Sequence, residues 1–218
     1  MRFHSRQAAG QELGLRLAEW ADDGELPQPV VLALPRGGVP VATQVARAIG
    51  APLDVLVVRK IGVPGRPESG VGAVAGDDPP VFDQQGLWMT GLSEDRLAQD
   101  VARERAEVQR RAQVYRGDRA MPDVGDRTVI VVDDGLATGA TARAALRHLR
   151  RLEPARLVLA VPVGAPGTVA EMRSEADTVI CLLQPPDFQA VGLWYDDFDQ
   201  VGDDEVIAML AEYRTLAT

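Results

Sequence analysis

Two adjacent carboxylates, Asp133 and Asp134, end an unbroken β-branched run, Val129 to Val132, and a small hydroxyl-bearing stretch follows them, Ala137-Thr138-Gly139-Ala140-Thr141. Carboxylates accept hydrogen bonds from hydroxyls and repel anions, whereas a turn of small residues lets backbone N–H groups close on an anion. If a helix opens at that turn, its N-terminus adds partial positive charge. A ligand that satisfies both halves carries a phosphate at one end and neighbouring hydroxyls about one sugar away. Ribose 5-phosphate has that shape.

Such groups must be held by a scaffold. Val129 to Val132 is apolar on both faces of an extended chain, which predicts a buried parallel strand with the two acids at its carboxyl end, where ligands bind in open α/β sheets. Ala142, Ala145, Leu146 and Leu149 recur at helical spacing and predict the helix that follows. The same strand–turn–helix pattern occurs earlier: Val30 to Leu34, then Pro35-Arg36-Gly37-Gly38-Val39-Pro40, then a helix from Val41 to Ile49. Arg36 offers a fixed fork of donors for a phosphate or pyrophosphate. A third strand is expected from Leu53 to Val58, ending in the cations Arg59 and Lys60. After it, Ile61 to Gly70 is rich in Gly and Pro and has no periodicity. That predicts an irregular functional loop, of the kind that forms lids.

The stretch Thr128–Thr141 resembles the motif by which type I phosphoribosyltransferases bind 5-phosphoribosyl 1-pyrophosphate (PRPP): a hydrophobic strand, two acids, then a Thr-Gly-x-Thr loop. With the aromatic Gly-x-Trp-Tyr-x-x-Phe tail, it is similar to a bacterial subgroup of phosphoribosyltransferase-like proteins. The resemblance implies that Asp133 and Asp134 hold the ribose hydroxyls and Ala137, Thr138, Gly139, Ala140 and Thr141 the 5′-phosphate. It implies further that Arg36, Gly37, Arg59 and Lys60 receive the pyrophosphate, with Asp133, Asp134, Arg59 and Lys60 as the catalytic group. Magnesium is expected to enter on PRPP itself, and no side chain is assigned to it. The loop from Ile61 would close over the reaction centre, with Arg66 standing where adenine-type members place a further lysine. Family members commonly pair, which implies a possible homodimer.

The rest of the chain fits an α/β fold, a parallel twisted sheet with helices on both faces, in one domain over residues 1–218 with a small hood over 184–200. Helices are expected from Ser5 to Asp22, Ser93 to about Tyr115, Pro166 to Glu175 and Asp203 to Tyr213. Further strands are expected over Arg156–Val161 and Thr178–Leu183. The charged face of the Ser93–Tyr115 helix reads as solvated. Aromatics are 5% of the chain, yet Phe188, Trp194, Tyr195 and Phe198 gather in the tail. They predict either a satellite core or, from Phe188, Trp194 and Tyr195, ring faces for a flat acceptor.

Other classes find less support. Gly70-Val71-Gly72-Ala73-Val74-Ala75 has the G-x-G-x-x-A spacing of dinucleotide-binding folds, but no helix is predicted after it, so Val71 to Ala75 is expected as a short strand. His4 and His148 lack the spacing of a metal pair and are expected at the surface. A net charge of -9 argues against nucleic acid as the main partner, and no long apolar run suggests a membrane span. The lone Cys181 and the polar N-terminus lead to the expectation of a cytoplasmic protein. Two functions remain: transfer of phosphoribose from PRPP to a nitrogenous small-molecule acceptor such as a nucleobase, or a non-catalytic PRPP-binding sensor.

Overall fold

The computed structural model describes residues 2–76 and 78–216, apart from the side chains of 66–69. Its frame is made from five strands, β1 (Pro29–Ala33), β2 (Leu53–Val55), β6 (Thr128–Val132), β7 (Arg156–Val163) and β8 (Thr178–Leu183), in one sheet of order β2-β1-β6-β7-β8. Every neighbouring pair is parallel. Because side chains alternate across a strand, each continuous apolar run feeds two cores. Val31, Ala33, Ile130 and Val132 face one core, and Val30, Leu32, Val129 and Val131 face the other.

Helices cover both faces. The first core is closed by α1 (Arg6–Asp22), α2 (Gly38–Ile49), α4 (Ala98–Arg116) and α7 (Asp203–Leu216), and the second by α5 (Ala140–Arg150) and α6 (Pro166–Met172). The Ser5 hydroxyl caps α1 by accepting from the Ala8 N–H at 3.2 Å, as its position before an apolar-periodic run predicts. Gly10 and Gly14 let α1 lie close on α2, since added Cβ atoms would fall 2.6 Å from the Val41 carbonyl and 2.9 Å from the Ala48 Cβ. This close crossing carries the first turn of α1 to the rim of the sheet.

Two expectations are corrected between β2 and α4. The strand expected over Leu53–Val58 is two strands: β2 stops at Val55, and β3 (Val58–Val63) belongs to a separate antiparallel sheet with β4 (Arg66–Ala75) and β5 (Val81–Phe82). Ile61 to Gly70 is therefore a hairpin ribbon and not an irregular loop, anchored by the fully buried Ile61. Glycines hide its period, since they contribute no side chain to an alternating pattern. The side chain of Arg66 lies outside the described residues. Gly70 to Ala75 sits inside β4 and opens no helix, as expected. A short helix α3 (Gln84–Thr90), capped by Asp83, has no counterpart among the expected elements, and a 3₁₀ turn at Asp95–Leu97 precedes α4.

Candidate active site

Strands β1 and β6 are neighbours from which the chain moves to opposite sides of the sheet, so a crevice opens beyond their carboxyl ends. The Leu34 N–H donates to the Val132 carbonyl at 2.8 Å, extending the pairing to the rim. This brings the Pro35–Gly37 turn against Asp133 and Asp134. The peptide between Pro35 and Arg36 is cis.

The two acids have different surroundings. Asp133 lines a cavity of about 130 Å³ together with Lys60, the Ala137–Thr141 turn and Val191, and its Oδ1 accepts the Asp134 N–H at 2.9 Å. Asp134 is enclosed: its Oδ2 accepts from Arg6 Nε at 2.8 Å, and its backbone carbonyl accepts from the Tyr195 hydroxyl at 2.6 Å. Burial, then the charge of Asp134, pushes the Asp133 carboxyl well above the usual range, against the pull of Arg6 and Lys60. Burial also raises Asp134, and Arg6 opposes it. The pair thus takes up a proton more readily than exposed carboxylates do.

The Ala137–Thr141 turn is braced from behind. The Leu136 N–H donates to the Val163 carbonyl at 2.9 Å, and the Thr168 hydroxyl donates to the Ala137 carbonyl at 2.7 Å. Gly139, in the left-handed region at φ 74°, precedes α5, so its turn can present the first N–H groups of the helix toward the cavity. Thr138 stays exposed. An added Cβ at Gly139 would fall 2.7 Å from Thr168 Cγ2. Gly139→Ala is therefore expected to cost about 1–2 kcal/mol of stability through its backbone conformation alone and to weaken phosphate binding, measured by urea unfolding and titration with inorganic phosphate.

Lys60 is where the cavities meet. It lines the cavity at Asp133, a second of about 660 Å³ reaching Thr138 and Ala140, and a third of about 700 Å³ that includes Pro35, Arg59 and the Gly62–Gly65 turn. Among the described residues no carboxylate lies within ion-pair reach of it. The other cations have partners: Arg59 Nε lies 2.9 Å from Glu104 on α4, and Arg36 lies 3.8 Å from Asp203 at the start of α7. Arg59 and Lys60 therefore reach the rim from the antiparallel ribbon, not from the end of a core strand. The charged face of α4 is not wholly solvated, because Glu104 is only 12% exposed at its side chain.

The 184–200 segment folds against the N-terminus. The Phe3 N–H donates to the Trp194 carbonyl and the Asp196 N–H to the Phe3 carbonyl, both at 2.9 Å. Tyr195 is 4% exposed, with Phe3 and Phe198 ring centroids 5.6 and 5.1 Å away. Its ring is not open to a ligand, and its link to the site runs through the hydroxyl. Phe188 and Trp194 are half-buried against the same cluster. From this segment it is instead Val191 that lines the cavity at Asp133, packed so tightly that a Cβ on Gly135 would fall 2.5 Å from it.

Sequence reasoning misses Arg6, Glu104, Asp203 and Val191. Only Arg6 carries a signal, a cation in the first helical turn, where the dipole disfavours it. The expectation of a surface position for His148 is corrected, since that side chain is 11% exposed, with Nδ1 2.7 Å from an Asp78 carboxylate oxygen. His4 is exposed as expected. Among the described residues no cluster of three or more His, Cys, Asp or Glu could hold a metal ion, and no helix is long and apolar enough to cross a membrane.

A strand-end acid pair beside a helix-opening turn of small residues is faced by a cationic turn across the switch point. Residues 6–197 match the family model of the phosphoribosyl transferase domain, and the chain belongs to that family. Two proteins of Mycobacterium tuberculosis, from strains H37Rv and CDC 1551 and provisionally named phosphoribosyl transferases, are each 45% identical to it over 210 residues. These matches cover 95% of this chain and 46% of the relatives, so the chain spans about half of their length. The crystal structure of TT1426 from Thermus thermophilus superposes with a TM-score of 0.81 at 42% identity, covering 98% of this chain and 99% of that one. AQ2163 from Aquifex aeolicus shares the fold at a TM-score of 0.50 and 13% identity, covering 84% of this chain and 77% of that one.

Proposed function

We propose that the protein transfers phosphoribose from PRPP to a nitrogenous small-molecule acceptor, with a nucleobase as the favoured class, releasing pyrophosphate. The observation that carries this reading is the shared cavity of Asp133, Lys60 and the Ala137–Thr141 turn, which brings a carboxylate, a cation and a helix-opening turn of small residues to one space. The turn anchors the 5′-phosphate. Asp133 and Asp134 hold the ribose hydroxyls, and their negative charge faces the cation that develops at the sugar as pyrophosphate departs. Lys60, with Arg36, Arg59 and the Gly37 turn, receives the leaving group.

Two adjacent carboxylates are too few to cage Mg²⁺, which suits an ion carried in on substrate phosphates. When bound, magnesium supplies charge neutralisation of the pyrophosphate. The residues 184–200 serve as a hood, with Val191 lining the cavity at Asp133. Water must be excluded because activated ribose can be hydrolysed instead of transferred, a role proposed for the β3–β4 ribbon, whose Lys60 lines the cavity.

The test is pyrophosphate release from PRPP and Mg²⁺, with and without a pool of purine and pyrimidine bases, using the Asp133/Asp134 double asparagine variant as control. Base-dependent release by the parent alone is the expected result. PRPP binding with no release under any acceptor would replace the transferase with a sensor, and no PRPP binding would overturn the reading. Lys60→Ala is expected to lower kcat/KM on the order of 100-fold, because an electrostatic partner of the developing charge is removed. Steady-state kinetics with PRPP varied would check it.

A further inference from the structure

The first helical turn, remote in sequence from every residue assigned a role above, enters the site. Arg6 is 9% exposed and makes three contacts: Nε donates to Asp134 Oδ2 at 2.8 Å, Nη1 donates to the Asp199 carbonyl at 2.8 Å, and the guanidinium lies 3.8 Å from the Phe198 ring centroid. An arginine this enclosed is costly unless its donors are used. Here they join an acid at the end of β6 to the 184–200 segment.

We infer that Arg6 is a positioning residue: it holds Asp134 by Oδ2, leaves Oδ1 for a ligand hydroxyl, and locks the hood segment to that geometry. The inference rests on the PRPP-binding reading above. The carboxylate has little other choice of pose. Gly37 packs against it so closely that a Cβ there would fall 2.0 Å from Oδ2, and its backbone carbonyl is held by Tyr195. The Arg6 fork fixes the remaining freedom as a lysine could not, since only a planar guanidinium serves Asp134 and Asp199 while stacking on Phe198.

The electrostatics agree with the geometry. The charged and titratable groups around Asp134 are Arg6 from α1, Asp133 beside it on the strand end, Tyr195 from the hood segment and, nearer Asp133, Lys60 from β3. Arg6 donates directly to the Asp134 carboxylate, so it favours the ionised form against burial. Removing that charge raises the pH at which Asp134 becomes an acceptor for a hydroxyl.

The test measures PRPP binding with Mg²⁺ by calorimetry, and turnover from acid to alkaline pH, for the full chain, Arg6→Gln and Arg6→Lys, with circular dichroism to confirm folding. Expected for Arg6→Gln is PRPP affinity weaker by on the order of 10–100-fold, from loss of a charge-assisted hydrogen bond, with the acid limb of the profile moved to higher pH. Arg6→Lys should restore the limb and only part of the affinity. A glutamine variant that binds as the parent does, or binds less well with an unmoved limb, would overturn the positioning role. If Arg6→Gln does not fold, an Arg6→Lys variant with the parent's full PRPP affinity, or with its acid limb moved to higher pH, would do the same. A parent that fails to bind PRPP overturns the function itself, an outcome read before any variant is compared.

Discussion

Asp133→Asn is expected to lose phosphoribosyl transfer and to gain thermal stability. Asparagine keeps the shape of the side chain and one carbonyl oxygen, so the Asp134 N–H retains its acceptor and the rim its packing. What disappears is a negative charge that burial and Asp134 both disfavour. A carboxyl whose pKa is higher in the folded than in the unfolded chain binds its proton more tightly when folded. Its contribution is intact below the unfolded value, about 3.9, and is lost as pH rises through the folded value. At neutral pH the parent fold carries that cost and the asparagine variant does not. The unfolding midpoint of Asp133→Asn should therefore exceed the parent's at pH 7, by roughly 2–4 °C for each kcal/mol relieved, and the two curves should converge toward pH 4. Turnover should fall by on the order of 10²–10³, the scale on which a charge aimed at a developing cation acts. Scanning calorimetry at several pH values and pyrophosphate release on the same samples would check both. A variant that lost activity and stability together would mean that Asp133 holds the rim in place and is not a strained functional charge.

The parts of this site that can be read in the sequence are those whose partners are close along the chain. Asp133, Asp134 and the Ala137–Thr141 turn lie within one strand–turn–helix unit, and their relation follows from strand direction and helix polarity alone. The Arg36–Gly37 turn repeats that unit, and parallel pairing of β1 with β6 puts the two turns side by side. Arg6 shows only as a cation misplaced in a first helical turn, and its role cannot be read because its partner Asp134 is 128 positions away, brought near only when α1 crosses α2 at Gly10 and Gly14. Glu104 and Asp203 are silent for the same reason: nothing in a charged helix face or a helix-opening acid says which cation it will meet. The β3–β4 ribbon reads as a loop because Gly62, Gly65, Gly70 and Gly72 interrupt the alternation by which strands are recognised. The aromatic tail shows how composition can locate a feature without assigning it. Clustering of Phe188, Trp194, Tyr195 and Phe198 marks a packed unit correctly, but whether a ring faces solvent or neighbours depends on the pairing of Phe3 with Tyr195, which the tail does not contain.

Gly37→Ala should impair PRPP binding more severely than its size suggests. The backbone at Gly37 is ordinary right-handed helical, at φ -61°, so alanine is conformationally welcome and the effect is steric. The added methyl would sit 2.0 Å from Asp134 Oδ2 and 2.7 Å from its Cγ, and 3.3 Å from Arg6 Nε. One of three things must yield: the Pro35–Gly37 turn, the Asp134 carboxylate, or its contact with Arg6. Each displaces a group that the proposed reaction uses. Overpacking of this kind costs about 1–3 kcal/mol of stability, and PRPP affinity is expected to fall by on the order of 100-fold, equivalent to about 2.7 kcal/mol. Gly167→Ala serves as the control, since nothing lies within 4 Å of an added Cβ on that exposed helical residue; it should leave affinity unchanged and raise stability by roughly 0.5–1 kcal/mol. The steric cause predicts non-additivity. In an Asp134→Ala background the carboxylate that meets the methyl is gone, so adding Gly37→Ala should cost markedly less stability than it does in the parent, a coupling read from urea unfolding of the four proteins. Equal costs in the two backgrounds would show that Gly37 serves the turn by itself and that the acid is not its reason for being glycine.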